Sequence, residues 1–434
     1  MMNKGKVRLQ ISEYGRGINL SSEITSRTGI SRIQADRILK EAGQRVASNL
    51  KLDYSPFDID GSSVRIKDIA GIIQLSANIE LEVIPKFLDA SNSGKWREDF
   101  FFLATLTKYG RLLNYDKISS SRGDSKNIST LIARSYSNMY QENRRRPLRK
   151  YQRINVTDFS LDGDIDPIEL INPSEDGYQQ EVFKFTKINN WNSILQAATY
   201  KLLGEISDPK IANNLTRIIE DFSSQAKPDL NRLQKIPSRQ KIWKPVFDLA
   251  IDILKDLNLD FDPGVIKSPG FLINTWRTWE DLLSLSIKLG FNGYSLNFQK
   301  GYKLGIRQRR ALNDLEVRVF PDCVVHSNRA MPSIIIDAKY KGNADYGPLR
   351  ISESDIYESL AFADATGYNF VILAYPAPFD NQMTPTGSCI VFENVIVNNV
   401  TIYGIQINVN GISQKSGLKT FSINLASQIN NILI

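Results

Sequence analysis

Residues 333–339 read SIIIDAK, and this short run constrains the chain more than any other. Three successive isoleucines look like a strand buried on both faces, yet they run directly into Asp337-Ala338-Lys339. An earlier apolar run, Val319-Phe320, passes in the same way into Pro321-Asp322. Side chains alternate along a strand, so Asp337 and Lys339 project from one face about 6.5–7 Å apart. Asp322, at the end of the preceding strand, lies beside them if the two strands pair. Two converging carboxylates repel and titrate together unless a cation sits between them. Oxygen ligands of this kind suit Mg²⁺. Such an ion lowers the pKa of a bound water and polarises a phosphodiester oxygen. The lysine beside it can orient that water or offset charge on the phosphate. In outline this is a phosphodiesterase site.

An Asp-x-Lys triplet alone carries little information. The chain has three: Asp124-Ser125-Lys126, Asp208-Pro209-Lys210 and Asp337-Ala338-Lys339. The first lies in a Ser-rich loop. The second contains a proline, which a central strand does not tolerate. Only the third closes an isoleucine run and has a Pro-Asp one strand earlier. The plainer alternative for it is a strand leaving into a solvated, charged turn.

A length of 434 residues suggests two or three domains, and 42% apolar with 23% charged residues is ordinary for a soluble globular chain. No run of 18 apolar residues occurs, which predicts no membrane span. The first fifteen residues lack an apolar h-region, which predicts no secretory signal. Cys323 and Cys389 are the only cysteines. That argues against a disulfide framework and for a reducing, cytoplasmic setting. His326 is the only histidine, so multi-histidine zinc sites are excluded, and its place after a strand reads as a turn residue. Neither GxxxxGK[ST] nor GxGxxG occurs, so the chain carries no nucleotide-binding signature.

Residues 1–95 read as a mixed α/β region. Within it, residues 23–43 have a helix-turn-helix pattern: Ile24 on a first helix, Gly29 and Ile30 at the turn, and Ile33, Ile38 and Leu39 on the apolar side of a second. The alternative is a plain helical hairpin packed on its neighbours. In IELEVIPKF (79–87), Ile79, Leu81 and Val83 alternate with Glu80 and Glu82, as in a half-buried strand that Pro85 ends. Residues 96–262 read as mainly helical. Residues 263–434 show the clearest order: a helix over about 275–289 stopped by Gly290, then strands at SLNFQ, LEVRVF, CVVHS and SIIIDAKY. A helix with Ser352 and Asp355 at capping-box spacing follows, then a strand at 368–376 and a β-rich tail ending in LKTFSINL.

Helix, three strands, helix, strand is the order of the PD-(D/E)xK nuclease core, and Pro321-Asp322 with Asp337-Ala338-Lys339 resembles that superfamily's motif. Many members carry a glutamate on the first helix, and Glu280 is placed for that role; an exposed helix charge is its alternative. IDAKYKG followed by a helix with Asp355-Ile356-Tyr357 looks like the McrC family, the nuclease subunits of McrBC-type 5-methylcytosine restriction systems, and its LlaJI-like relatives. LEVIPKF resembles that family's N-terminal V-x-P-K strand, and LDGDID with NNWNSILQAATYKLL loosely resembles its middle region. The likeness spans about residues 8–410. The later helix departs from it: the family's D-x-Y-Q reads Asp355-Ile356-Tyr357-Glu358 here, so the glutamine's hydrogen-bond donor is replaced by a carboxylate.

The resemblance implies an α+β multidomain chain. A PD-(D/E)xK core (αβββαβ, mixed sheet) in 263–434 would follow a partner-binding N-terminal region and a mainly helical middle. It implies that Asp322, Asp337 and Glu280 bind Mg²⁺, or Mn²⁺ in its place. Lys339 would position the attacking water, with Tyr357 and Glu358 in support. It also implies a hexameric, McrB-like AAA+ GTPase as partner, DNA as substrate and a role in defence against foreign DNA.

Two basic clusters complete the reading. Residues 141–153 hold six basic side chains against one acid, and residues 300–310 hold five and none. Arg144, Arg145, Arg146, Arg149 and Lys150 in the first, and Arg307, Arg309 and Arg310 in the second, are candidate phosphate contacts; solvated charged faces are the alternative. Two rival functions stay open at this point. One is a non-catalytic DNA-binding or assembly subunit reading DNA through 23–43. The other is a stand-alone restriction endonuclease.

Overall fold

The computed structural model describes residues 7–50, 52–61, 63–76, 78–88, 95–109, 128–204, 206, 208–222, 227–255, 271–308, 310, 313–327, 332–340, 350–378 and 385–433. The chain forms two compact units, one made of residues 1–128 with 268–434, the other of residues 129–267. Residues of the N-terminal and C-terminal segments, which the sequence reading sets apart as 1–95 and 263–434, therefore share one unit. Among the described residues no helix is long and apolar enough to cross a membrane.

In the first unit β1 (Val7–Ser12) leads to α1 (Leu20–Thr28) and α2 (Arg32–Leu50), followed by β2 (Phe57–Asp60), β3 (Ser63–Ile66), β4 (Ile69–Ser76) and β5 (Ile79–Ile84). Asn19 caps α1, and Gly29 ends it in the left-handed conformation that glycine adopts without Cβ strain. Ile24, Ala35, Leu39, Ala42 and Val46 are buried against Ile73, Leu75 and Leu81 of the sheet. The two helices are thus a hairpin whose apolar face is spent on its own sheet. Ile33, expected on that face, is 81% exposed. Its position at the start of α2 falls off the stripe set by Ala35, Leu39 and Ala42. Ile79, Leu81 and Val83 face the core as their alternation predicts, but Glu80 is buried too, paired with Arg8 at 3.0 Å. Helix α3 (Lys95–Tyr109) joins the same unit: Asp99 accepts the backbone N–H groups of Gly411 and Ser413 at 2.8 and 2.9 Å.

In the second unit α4 (Ile128–Asn143) precedes β6 (Lys150–Asp158), β7 (Asp164–Ile165), α5 (Pro167–Ile171) and β8 (Tyr178–Thr186), which form a three-stranded antiparallel sheet in the order β6-β8-β7. Helices α6 (Asn190–Leu203), α7 (Pro209–Glu220) and α8 (Lys244–Lys255) follow. Asp208, from the second Asp-x-Lys triplet, caps α7 by accepting from Lys210 and Ile211 N–H, which accounts for an Asp-Pro pair at a helix start. The first triplet, at Asp124, lies outside the described residues.

Returning to the first unit, β9 (Phe271–Asn274) pairs antiparallel with β4 and completes a sheet ordered β1-β5-β4-β9. Asn274 then caps α9 (Thr275–Gly290). Strands β10 (Leu296–Phe298), β11 (Tyr302–Arg307), β12 (Leu315–Val319), β13 (Cys323–Val325) and β14 (Ile334–Ala338) follow, then α10 (Glu353–Thr366), β15 (Phe370–Pro376), β16 (Cys389–Val397), β17 (Val400–Ile407) and α11 (Gly417–Leu433). The six-stranded sheet runs β10-β13-β14-β15-β17-β16, with β14, β15 and β17 parallel and the other pairs antiparallel.

Two sequence expectations change here. LKTFSINL is helix, not strand: Leu418, Phe421, Leu425, Ala426 and Ile429 share one helical face and are all buried. Gly290 is the last residue of α9 and does more than stop it. A Cβ there would meet the Ser422 carbonyl oxygen of α11 at 2.3 Å, so its smallness allows the two helices to approach closely.

Candidate active site

The isoleucines of β14 are fully buried, and its antiparallel register with β13 sets Cys323 opposite Ile336. Asp322, one residue before β13, thereby comes level with Asp337 near the end of β14. Sequence reasoning placed Asp322 at the end of the preceding strand; it stands instead just ahead of β13, while β12 pairs with β11 in a separate hairpin. An antiparallel partner must start where its neighbour ends, and so the two acids meet. Asp322 Oδ2 accepts the Ala338 N–H at 2.8 Å, and its Oδ1 accepts Gln299 Nε2 at 2.8 Å. Gln299, which sequence reasoning missed, holds a left-handed φ of 49° and donates its own N–H to the Asp322 carbonyl.

Lys339 Nζ sits 2.6 Å from Asp337 Oδ2 and 2.6 Å from Glu358 Oε2 of α10, with Asp355 Oδ1 at 3.9 Å. Its backbone N–H is held by the Ala374 carbonyl at 2.9 Å. Asp355, read from sequence as a capping residue, is buried and accepts a hydrogen bond from Tyr375 Oη at 3.2 Å. Its N–H is the one that the Ser352 hydroxyl caps. Glu358 is thus a charge partner of the lysine, a role opposite in polarity to a glutamine's donor. Tyr357 lies exposed on α10.

Helix α9 is pinned beside this end of the sheet, its Trp279 indole N–H donating to the Ala374 carbonyl at 3.0 Å. Next to Trp279, the Glu280 carboxyl is raised to about 7 by burial and by the charges of Asp322, Asp281 and Asp337. Burial raises Asp337 to about 6, with Lys339 opposing and Asp322 adding to the rise. Asp322 is raised by burial against the Ala338 N–H. Burial lowers Lys339, but Asp337 and Glu358 outweigh it and hold the ammonium above its ordinary range. Asp322 raises both of the other acids, and Asp337 raises Glu280, so the group has too little positive charge for its carboxylates.

The donor set fits a hard divalent cation. Asp337 Oδ2 is buried and accepts no aligned hydrogen bond, since Lys339 approaches it closely but off the hydrogen-bond direction. Among the described residues, however, no three Asp, Glu, His or Cys side chains stand close enough together to enclose an ion. His326 is a structural residue, bonded to Tyr368 Oη at 2.9 Å and to Asn297 at 2.6 Å.

The two basic clusters differ in how they are engaged. Arg144, Arg145, Arg146 and Arg149 are exposed in the second unit, but Arg144 is paired with Asp221 at 2.6 Å. Lys150 donates to Gln234 at 3.1 Å, and Arg149 stacks over Phe185. Arg307 and Arg310 are exposed in the first unit. Arg309 lies outside the described residues.

A family model, described as McrBC 5-methylcytosine restriction system component, matches residues 64–376. The chain belongs to this family. The matched span holds every acid of the site together with Lys339, and begins after the helical hairpin of α1 and α2. A chain of the Thermococcus gammatolerans assembly of McrB AAA+ hexamers with bound McrC has the same fold: TM-score 0.69 at 15% identity, covering 98% of this McrBC-family chain and 100% of that one. A chain of the Thermococcus gammatolerans McrBC complex, solved by electron cryo-microscopy, matches at a TM-score of 0.46 and 14% identity over 64% of this chain and 88% of that one. No curated protein is similar enough in sequence to add a relative.

Proposed function

We propose that this McrBC-family chain is the Mg²⁺-dependent DNA endonuclease subunit of a modification-dependent restriction system, working with an AAA+ GTPase partner in defence against foreign DNA. The observation that carries the reading is the meeting of Asp322 and Asp337 across two antiparallel strands, with Lys339 2.6 Å from the second acid. Support comes from the order α9, β10, β13, β14, α10, β15, which matches the PD-(D/E)xK core once the β11-β12 hairpin is set aside as an insertion. Similarity to a chain from an assembly of McrB hexamers with McrC supports the AAA+ partner.

Asp322 and Asp337 would hold the ion, with Mn²⁺ able to substitute, and Glu280 would complete the shell only by moving toward them. Bound there, it supplies a water of lowered pKa and a polarised phosphodiester oxygen. Ala338 N–H and Gln299 orient Asp322. Lys339 stays protonated, so it acts as a hydrogen-bond donor rather than a base: it positions the attacking water and offsets charge building on the phosphate. Asp355 and Glu358 hold the ammonium in place.

The test is cleavage of methylated plasmid by the chain with and without its AAA+ partner and GTP, in Mg²⁺ and in EDTA. The proposal expects cutting only with partner, nucleotide and metal together, and no nucleotide hydrolysis by this chain alone. Specific cutting by the chain alone would make it a stand-alone restriction enzyme. DNA binding with the acids dispensable would make it a DNA-binding or assembly subunit.

A further inference from the structure

Away from the acids, the first unit contains a second buried polar cluster that the chemistry above does not use. Glu13 follows β1 and is 1% exposed. Its Oε2 accepts a hydrogen bond from Tyr340 Oη at 2.6 Å and its Oε1 one from Thr275 Oγ1 at 2.6 Å. Lys86 N–H reaches the same carboxylate at 3.3 Å, and Lys86 Nζ lies 4.0 Å from the Tyr340 ring centre and 5.0 Å from that of Tyr14. Tyr14 and Tyr54 both donate to Asp68, whose carbonyl accepts the Thr275 N–H at 3.2 Å. Tyr14 and Asp68 have φ of 54° and 60°, a region that non-glycine residues occupy only where the surroundings hold them.

The partners of Glu13 are placed with consequence. Tyr340 directly follows Lys339. Thr275 is the first residue of α9, the helix that carries Glu280. One carboxylate from the N-terminal segment therefore ties together the two elements that bring Lys339 and Glu280 to the site. We infer that Glu13 is a positioning residue for this site, acting through Tyr340 and Thr275 to set Lys339 and Glu280 relative to one another. The inference rests on the phosphodiesterase reading above. Burial raises the Glu13 carboxyl to about 7, against the hydrogen bonds from Thr275 and Tyr340 and the charge of Lys86. A group so costly to bury persists only if well bonded.

The test uses the full chain with Mg²⁺, and the complex with its AAA+ partner for cleavage. Tyr340→Phe and Thr275→Val each remove one hydroxyl, and Glu13→Ala removes the acceptor of both. A misplacement of about 1 Å costs on the order of 100-fold in rate, so Glu13→Ala is expected to lower turnover about 10–100-fold with KM for DNA unchanged. Mg²⁺ affinity, read by calorimetry, is expected to fall about tenfold in Thr275→Val, which loosens the start of the helix that carries Glu280. Glu13→Ala with Tyr340→Phe should lose little more than Glu13→Ala alone, because both delete the same bond. If Glu13→Ala does not fold, Tyr340→Phe with Thr275→Val carries the comparison. Folded variants with unchanged turnover and unchanged Mg²⁺ affinity overturn the inference, as do effects that simply add. Asp337→Asn in the same assays separates the two ideas: if it cuts like wild type, the phosphodiesterase reading fails. If it is dead while the Glu13, Tyr340 and Thr275 variants are wild-type, only the positioning role fails.

Discussion

Lys339 Nζ lies 2.6 Å from Asp337 Oδ2, two residues back along the same strand end, and both side chains are nearly buried. The pair is a close ion pair, and a divalent ion entering beside Asp337 would compete with the ammonium for its charge. The lysine is kept from following it by Glu358 on the other side.

Replacing Asp337 by Asn keeps the shape and removes the charge. Loss of an ion worth several kcal/mol at the transition state is expected to lower DNA cleavage at least about 100-fold. Folding should survive, because one of two mutually repelling acids is gone. Plasmid cleavage beside thermal melting checks both halves.

Stability without metal should depend on pH in a defined sense. Glu280 is raised from 4.5 to about 7 and Asp337 from 3.8 to about 6. A raised carboxyl favours the protonated folded state. Its contribution is therefore fully present below its unfolded pKa and lost as pH rises through its folded pKa. Melting in EDTA should weaken between about pH 4 and 7, with Glu13 adding in the same direction. Glu280→Gln should remove ~1 kcal/mol of that fall, after discounting for solvent screening at a half-buried group. Equal slopes for wild type and variant would contradict the assignment.

Glu358→Gln restores the residue of the family's D-x-Y-Q pattern. Glu358 is 49% exposed, so its pair with Lys339 should contribute at most ~1 kcal/mol, and cleavage should change less than about fivefold. Lys339→Ala should instead abolish cleavage, and Tyr357→Phe, at an exposed position, should leave it intact. Single-turnover rates rank the three.

Three arginines of the first basic cluster, Arg145, Arg146 and Arg149, have no carboxylate partner at ion-pair distance among the described residues, whereas Arg144 is held by Asp221 and Arg153 by Glu181. If the three bind phosphates, changing them to Ala should flatten the plot of log K against log salt by about 0.9 for each phosphate no longer neutralised, for all DNA sequences alike. An unchanged slope marks a solvated face. Unchanged DNA binding with failed activation by the AAA+ partner marks a surface that docks protein.

What could be read from the sequence was what neighbours along the chain decide. The isoleucine run of β14 and the capping serine of α10 are local patterns of side-chain spacing, and each falls where those patterns put it, whereas the alternation in β5 gave the strand but not the burial of Glu80. Asp337 and Lys339 were legible for the same reason, since one strand carries both. LKTFSINL was not: eight residues fit a strand as well as a helix until the buried face against α9 selects period 3.6 over 2. Asp322 belongs to the site because of antiparallel register, which no single strand encodes. The sequence put Gln299 at the end of a strand and Asp355 at a helix cap, and singled out nothing at Glu13. Their roles come from partners 16 to 327 positions away in sequence: Gln299 through Asp322, Asp355 through Lys339 and Tyr375, Glu13 through Thr275 and Tyr340. Burial is a property of the assembled sheet and helices. Only there do Glu13, Asp322 and Asp337 lose water, gain specific partners and shift their proton affinities.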